Sequence, residues 1–268
     1  MQFVKINDVT ISYEVTTRDP ANPVLVLVNS LGTDYRIWHL VVPKLCEDFT
    51  VLTYDKRGHG LSDLAKPPYS LDDHVTDLVG LLDHLEFSQA HVCGLSVGGM
   101  IAQQLYMRRP DLVRSLVLSD TAHKIGTSET WNARIAAVEA DGIGSMVDAI
   151  MTNWFTPDFR QPGNAAYQAY CNMLARQPAP GYSGTCAALR DADLTAVASK
   201  IAVPALCIVG AEDGSTPPEL VRSLANIIPD ARFEIIDGAA HIPCVEAPAA
   251  FAGLVRDFIN NAEDRHDD

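Results

Sequence analysis

The stretch that most restricts this chain is a serine with glycine two positions away on either side, Gly94-Leu95-Ser96-Val97-Gly98. The apolar run Ala90-His91-Val92-Cys93 leads into it. Behind it, Met100 to Tyr106 is spaced as a helix and closed by Arg108, Arg109 and Pro110. A serine between strand and helix must turn sharply, through backbone angles strained for any residue with a side chain. Small neighbours leave room for that turn and lift the hydroxyl away from the sheet. Ser96 is therefore the candidate nucleophile.

The surrounding chain alternates strands and helices. Val4–Ile6 and Val9–Glu14 read as a hairpin around Asn7-Asp8. Val24–Val28 is apolar at every position, as in a parallel strand covered on both faces. Further strands follow at Phe49–Tyr54, Leu116–Ser119, Val203–Val209 and Ala231–Ile236. Helices are predicted from Trp38 to Leu45, behind the capping box Ser70/Asp73, from Thr216-Pro217-Pro218-Glu219 with a second capping box, and from Pro248. The last carries Phe251, Leu254, Val255, Phe258 and Ile259 on one face, and the polar tail Glu263 to Asp268 reads as frayed. Between Thr121 and Asp193 strands vanish, while Trp131, Trp154, Phe155, Tyr167, Tyr170 and Tyr182 accumulate. The α/β rhythm then resumes. The division predicted is a core over 1–120 and 194–268 interrupted by a helical cap over 121–193.

A serine hydroxyl needs a general base, itself oriented by a carboxylate. After Ser96 come Asp213 and then His241, each in a loop just past a predicted strand. The order Ser…Asp…His is that of α/β-hydrolases and differs from the two other well-known serine-hydrolase orders. Loops at the carboxyl edge of one parallel sheet converge in space, so these three can meet. Asp120 and Glu212 compete for the acid role; Asp213 is preferred because it lies deeper in its loop. His59, in Arg57-Gly58-His59-Gly60, competes for the base role but reads better as part of a structural turn. The acyl oxyanion requires two backbone donors: the N–H of Val97, and one from Asn29-Ser30-Leu31-Gly32-Thr33, with Leu31 first and Ser30 as the fallback.

No HExxH or clustered ligand set points to a metal, and no GxGxxG opens a helix after a strand, so neither metal nor cofactor is predicted. The net charge of −14 disfavours nucleic acid and anionic membranes as partners. No run has the length of a signal peptide core or a membrane span. Six scattered cysteines without a CxxC pair suit a reducing cytoplasm. A homo-oligomer is compatible with the sequence and not demanded by it.

The chain resembles the α/β-hydrolase superfamily over almost its whole length. Within it, Asn29-Ser30-Leu31-Gly32-Thr33, Tyr54-Asp55-Lys56-Arg57-Gly58-His59-Gly60, Thr121 to Thr127, Trp131-Asn132-Ala133-Arg134-Ile135, Trp154-Phe155-Thr156-Pro157, and Gly181-Tyr182 through Leu194 resemble the 3-oxoadipate enol-lactonase family. Val97 stands where that family suggests methionine. The resemblance implies hydrolysis of 3-oxoadipate enol-lactone in bacterial aromatic catabolism. That substrate is a small lactone carrying a free carboxylate, so a net-acidic protein needs a local cation. Arg134 is the predicted clamp, with Ser30, Trp131 and Trp154 as further substrate-binding positions. The triad alone does not separate this activity from a carboxylesterase, a C–C bond hydrolase or a perhydrolase. A dehalogenase would want aspartate at position 96, a receptor that has lost catalysis would usually lack a triad member, and nothing marks the acceptor site of an acyltransferase.

Overall fold

Apolar runs flanked by turn residues make the strands, and together they build one sheet. The computed structural model describes residues 1–263; of the tail expected to fray, Glu263 instead ends the last helix and pairs with Arg114 at 3.0 Å, and 264–268 lie outside the described residues. In chain order the elements are β1 (Gln2–Ile6), β2 (Val9–Thr16), β3 (Val24–Val28), α1 (Val42–Leu45), β4 (Thr50–Tyr54), α2 (Leu71–His84), β5 (Ala90–Leu95), α3 (Val97–Arg108) and β6 (Val113–Ser119). Then follow α4 (Ser128–Asp141), α5 (Val147–Trp154), α6 (Ala165–Ala175), α7 (Ala179–Asp191) and α8 (Thr195–Ala198). The chain closes with β7 (Ala205–Gly210), α9 (Pro218–Ile227), β8 (Arg232–Ile236), α10 (Pro243–Glu246) and α11 (Pro248–Glu263).

The strand order is β1-β2-β4-β3-β5-β6-β7-β8. β1 and β2 form the antiparallel hairpin, β2 joins β4 antiparallel, and every pairing from β4 through β8 is parallel. β3, β5 and β7 contain no exposed residue, so helices must cover both faces of the sheet. α2, α3, α8 and α9 pack in succession as one group, and α1, α10 and α11 form another. Between β6 and β7 all the regular structure is helical, with α4 packed on α7 and α5 on α6.

Local chemistry sets the element ends. Ser70 Oγ accepts from Asp73 N while the Asp73 carboxylate accepts from Ser70 N, so the predicted capping box starts α2. Two predicted helices differ. Trp38 to Leu45 is a 3₁₀ turn, Tyr35–Trp38, followed by the single turn α1, because Pro43 has no N–H to carry one helix through. At α9 the capping residue is Pro217, and the Thr216 hydroxyl turns away to Asp213. Pro217 keeps its extended backbone without a side-chain cap.

Because β3 to β8 run parallel, their carboxyl ends lie along one edge. The loops leaving that edge hold Ser30 and Leu31, Lys56, Ser96, Asp120, Asp213 and His241.

Candidate active site

Ser96 sits at φ 58° and ψ −119°, as the strand-to-helix turn requires. Its N–H donates to Ser119 O at 2.9 Å, which pins the turn to β6. The flanking glycines serve close approach: a Cβ on Gly98 would lie 2.1 Å from Val28 O, and one on Gly94 would lie 2.2 Å from Gly98 O. No larger residue fits between β5, α3 and the end of β3.

Asp213 and His241 meet as predicted. His241 Nδ1 lies 2.9 Å from Asp213 Oδ2. The same oxygen accepts from the Thr216 hydroxyl at 2.6 Å, while Asp213 Oδ1 accepts from Ser215 N at 2.7 Å and Thr216 N at 3.0 Å. Burial works against the Asp213 carboxylate, but His241 and the Thr216 hydrogen bonds outweigh it and hold its pKa below the ordinary value. An ionised Asp213 keeps the His241 proton on Nδ1 and leaves Nε2 free to act as a base.

The rivals take other duties. Asp120 is fully buried, with its carboxylate within 4.8 Å of both Asp213 and His241. Its oxygens accept from Gly210 N at 2.9 Å and the Ser119 hydroxyl at 2.5 Å. Burial and the neighbouring Asp213 push its pKa well above the usual carboxylate range. Glu212 is exposed beside them. His59 is buried under the loop after β3, where Nε2 accepts from Gly32 N at 3.1 Å and Nδ1 faces Arg57 O at 3.2 Å. Burial and the Lys56 charge depress its pKa well below the usual histidine value, as suits a neutral structural ring.

Ser96 and His241 open onto one cavity of about 200 Å³. Ser30, Leu31, Trp131, Arg134 and Trp154 also line it, joined by Tyr182 and Asn153. Val97 and Asp213 lie behind this wall, both buried. The Leu31 and Val97 N–H groups donate to no described group. Trp131 is fixed by its indole N–H on Ile125 O at 2.7 Å, and the Arg134 guanidinium lies 5.1 Å from its ring centroid. Arg134 lines the cavity, is half-buried and forms no ion pair among the described residues. Trp154 stacks near His241, with ring centroids 6.4 Å apart and planes at 29°. A larger cleft of about 810 Å³, lined by Met1, Asp34, Asp55, Tyr170 and Arg176 among others, holds none of these groups.

The family described as the alpha/beta hydrolase fold matches residues 23–248. The chain is 35% identical over 244 residues to 3-oxoadipate enol-lactonase 2 of Acinetobacter baylyi, covering 91% of each chain. It is 34% identical over 254 residues to 3-oxoadipate enol-lactonase 1 of the same organism, covering 95% of this chain and 94% of that one. The chain belongs to the 3-oxoadipate enol-lactonase family. Among solved structures, the enol-lactonase from Burkholderia xenovorans superposes with a TM-score of 0.93 at 35% identity, covering 97% of this chain and all of that one. As a member of the enol-lactonase family the protein is an ester hydrolase on the α/β-hydrolase fold.

Three supporting residues escape sequence reasoning. Thr216 reads as a helix cap, although its place three residues after Asp213 in one loop is a usable signal. Glu246 has no motif. Its carboxylate accepts from Ala240 N at 2.8 Å and from Thr156 N and Oγ1 at 3.0 and 2.7 Å, tying the loop of His241 to the segment after Trp154. Lys56 hides in the string Asp55-Lys56-Arg57, where a charged residue usually means solvent, yet it is 1% exposed.

Proposed function

We propose that the protein hydrolyses 3-oxoadipate enol-lactone to 3-oxoadipate through an acyl-enzyme formed on Ser96. Ser96 attacks the lactone carbonyl as His241 Nε2 takes its proton, and Asp213 stabilises the resulting imidazolium. The Leu31 and Val97 N–H groups receive the oxyanion. The ring opens by expulsion of an enol oxygen, a good leaving group that ketonises after protonation by His241. Water activated by the same histidine then releases the product. Arg134 holds the substrate's free carboxylate, with Trp131 and Trp154 as apolar walls and Ser30 lining the same cavity.

The observation that carries this reading is an arginine without a carboxylate partner lining the cavity that Ser96 and His241 share. In a chain of net charge −14 such a group suits a small anionic ester. Residues 121–193 act in this reading as a cap on a core formed by 1–120 and 194–268. No helix among the described residues is long and apolar enough to cross a membrane, and all six cysteines are free and buried. A cytoplasmic enzyme of aromatic catabolism fits both, either as a monomer or as a homo-oligomer. The test is the loss of enol-lactone ultraviolet absorbance beside hydrolysis of a simple aryl ester. Fast lactone turnover, slow esterolysis and abolition of both in a folded Ser96→Ala variant are expected. Lactone turnover that survives Ser96→Ala would refute the mechanism, and esterolysis without lactone turnover would refute the substrate.

A further inference from the structure

The Ser30 carbonyl accepts three hydrogen bonds: from Lys56 Nζ at 2.5 Å, from Thr33 Oγ1 at 2.9 Å and from Thr33 N at 3.4 Å. Lys56 Nζ also reaches Asn29 O at 3.4 Å. The amine is buried and forms no ion pair among the described residues, so its hydrogen bonds go to two carbonyls of one loop. Burial lowers its pKa to about 7, a shift that Asp55 and Asp34 partly offset. Removing an amine from water is costly, and an apolar side chain would fill the same volume without that cost. The carbonyl it meets shares a peptide unit with the N–H of Leu31, a residue that lines the cavity and whose N–H has no described acceptor. In a peptide the C=O and N–H are conjugated, so a donor on the oxygen draws density from the nitrogen. Linked hydrogen bonds strengthen one another by roughly 10–30%.

We propose that Lys56 is a positioning residue for acyl transfer, holding and polarising the Ser30–Leu31 peptide so that the Leu31 N–H becomes a stronger oxyanion donor. The inference rests on the acyl-transfer reading above. Lys56 itself does not line the cavity, so it acts where negative charge develops and leaves ground-state binding alone.

The experiment compares wild type, Lys56→Met and Lys56→Gln as full chains. It measures kcat and KM for the enol-lactone, the affinity of a boronic acid that forms a tetrahedral adduct at Ser96, and the affinity of adipate as a ground-state mimic. Lys56→Met keeps length and removes the donor; its kcat should fall about tenfold, with boronate affinity weakened in proportion. KM and adipate affinity should stay put, and Lys56→Gln, which retains an amide donor, should fall between. Unchanged kcat or unchanged boronate affinity would overturn the proposal. So would equal losses of adipate and boronate binding, because a merely loosened loop would weaken both. If Lys56→Met does not fold, Lys56→Gln must still show kcat and boronate affinity falling together at constant KM. A wild type without Ser96-dependent turnover would instead overturn the underlying acyl-transfer reading.

Discussion

Asp213→Asn is the sharpest perturbation of the proposed chemistry, because the structure dictates which way the new amide must point. Asp213 Oδ1 receives two backbone N–H groups, from Ser215 and Thr216, so in the variant the amide oxygen must stay there. The NH₂ then occupies the Oδ2 position, 2.9 Å from His241 Nδ1. Two donors cannot face each other, so Nδ1 becomes the acceptor and the imidazole proton moves to Nε2, toward the cavity. A histidine in that tautomer cannot take the Ser96 proton. Losing tautomer control and imidazolium stabilisation should lower kcat by about 10³- to 10⁴-fold, roughly 4 to 5.5 kcal/mol of barrier. Asp120 cannot take over, since its oxygens are held by Gly210 N and the Ser119 hydroxyl. KM should change little because Asp213 does not line the cavity. Steady-state lactone hydrolysis, run beside thermal unfolding to confirm the fold, reads the effect. A loss of less than about tenfold in a folded variant would refute the assignment of Asp213 as the orienting acid.

Arg134→Ala should raise KM for carboxylated lactones by about tenfold or more, the worth of a charge-assisted hydrogen bond, with kcat nearly retained; an unchanged KM removes Arg134 from substrate binding. Asp120→Asn should stabilise the protein increasingly as pH rises. The native Asp120 carboxyl keeps a proton that the unfolded chain releases above about pH 4, so stability is lost between that value and the raised native pKa, and the amide removes that slope. Asparagine also tolerates the backbone at φ 48°. Melting temperatures of variant and wild type at pH 4.5 and 8 give the result; a gap that does not widen at pH 8 contradicts the assignment.

Much of this architecture is legible along the chain. The continuously apolar run Val24–Val28 has to be a strand covered on both faces, and the Ser70/Asp73 box can only start a helix. A serine between glycines at a strand-to-helix junction demands the strained turn found at Ser96. Chain order ranks His241 over His59, because parallel strands deliver their following loops to one edge.

What the sequence could not decide concerns groups whose role depends on neighbours far away in the chain. Asp120 and Asp213 are both aspartates after strands. Their roles diverge because Asp213 faces His241 Nδ1 and gathers N–H and O–H donors, while Asp120 is left buried beside a like charge. Thr216 has the composition of a helix cap, yet the carboxylate three residues earlier is a stronger acceptor for its hydroxyl. Lys56 reads as a solvated charge until β3 and β4 are paired side by side and their loops fold together, which sets its amine against the Ser30 carbonyl. Local periodicity and turn chemistry act within a few residues and can be read from order alone. Hydrogen bonds and desolvation act through space, so the direction of each buried charge was settled by the tertiary structure.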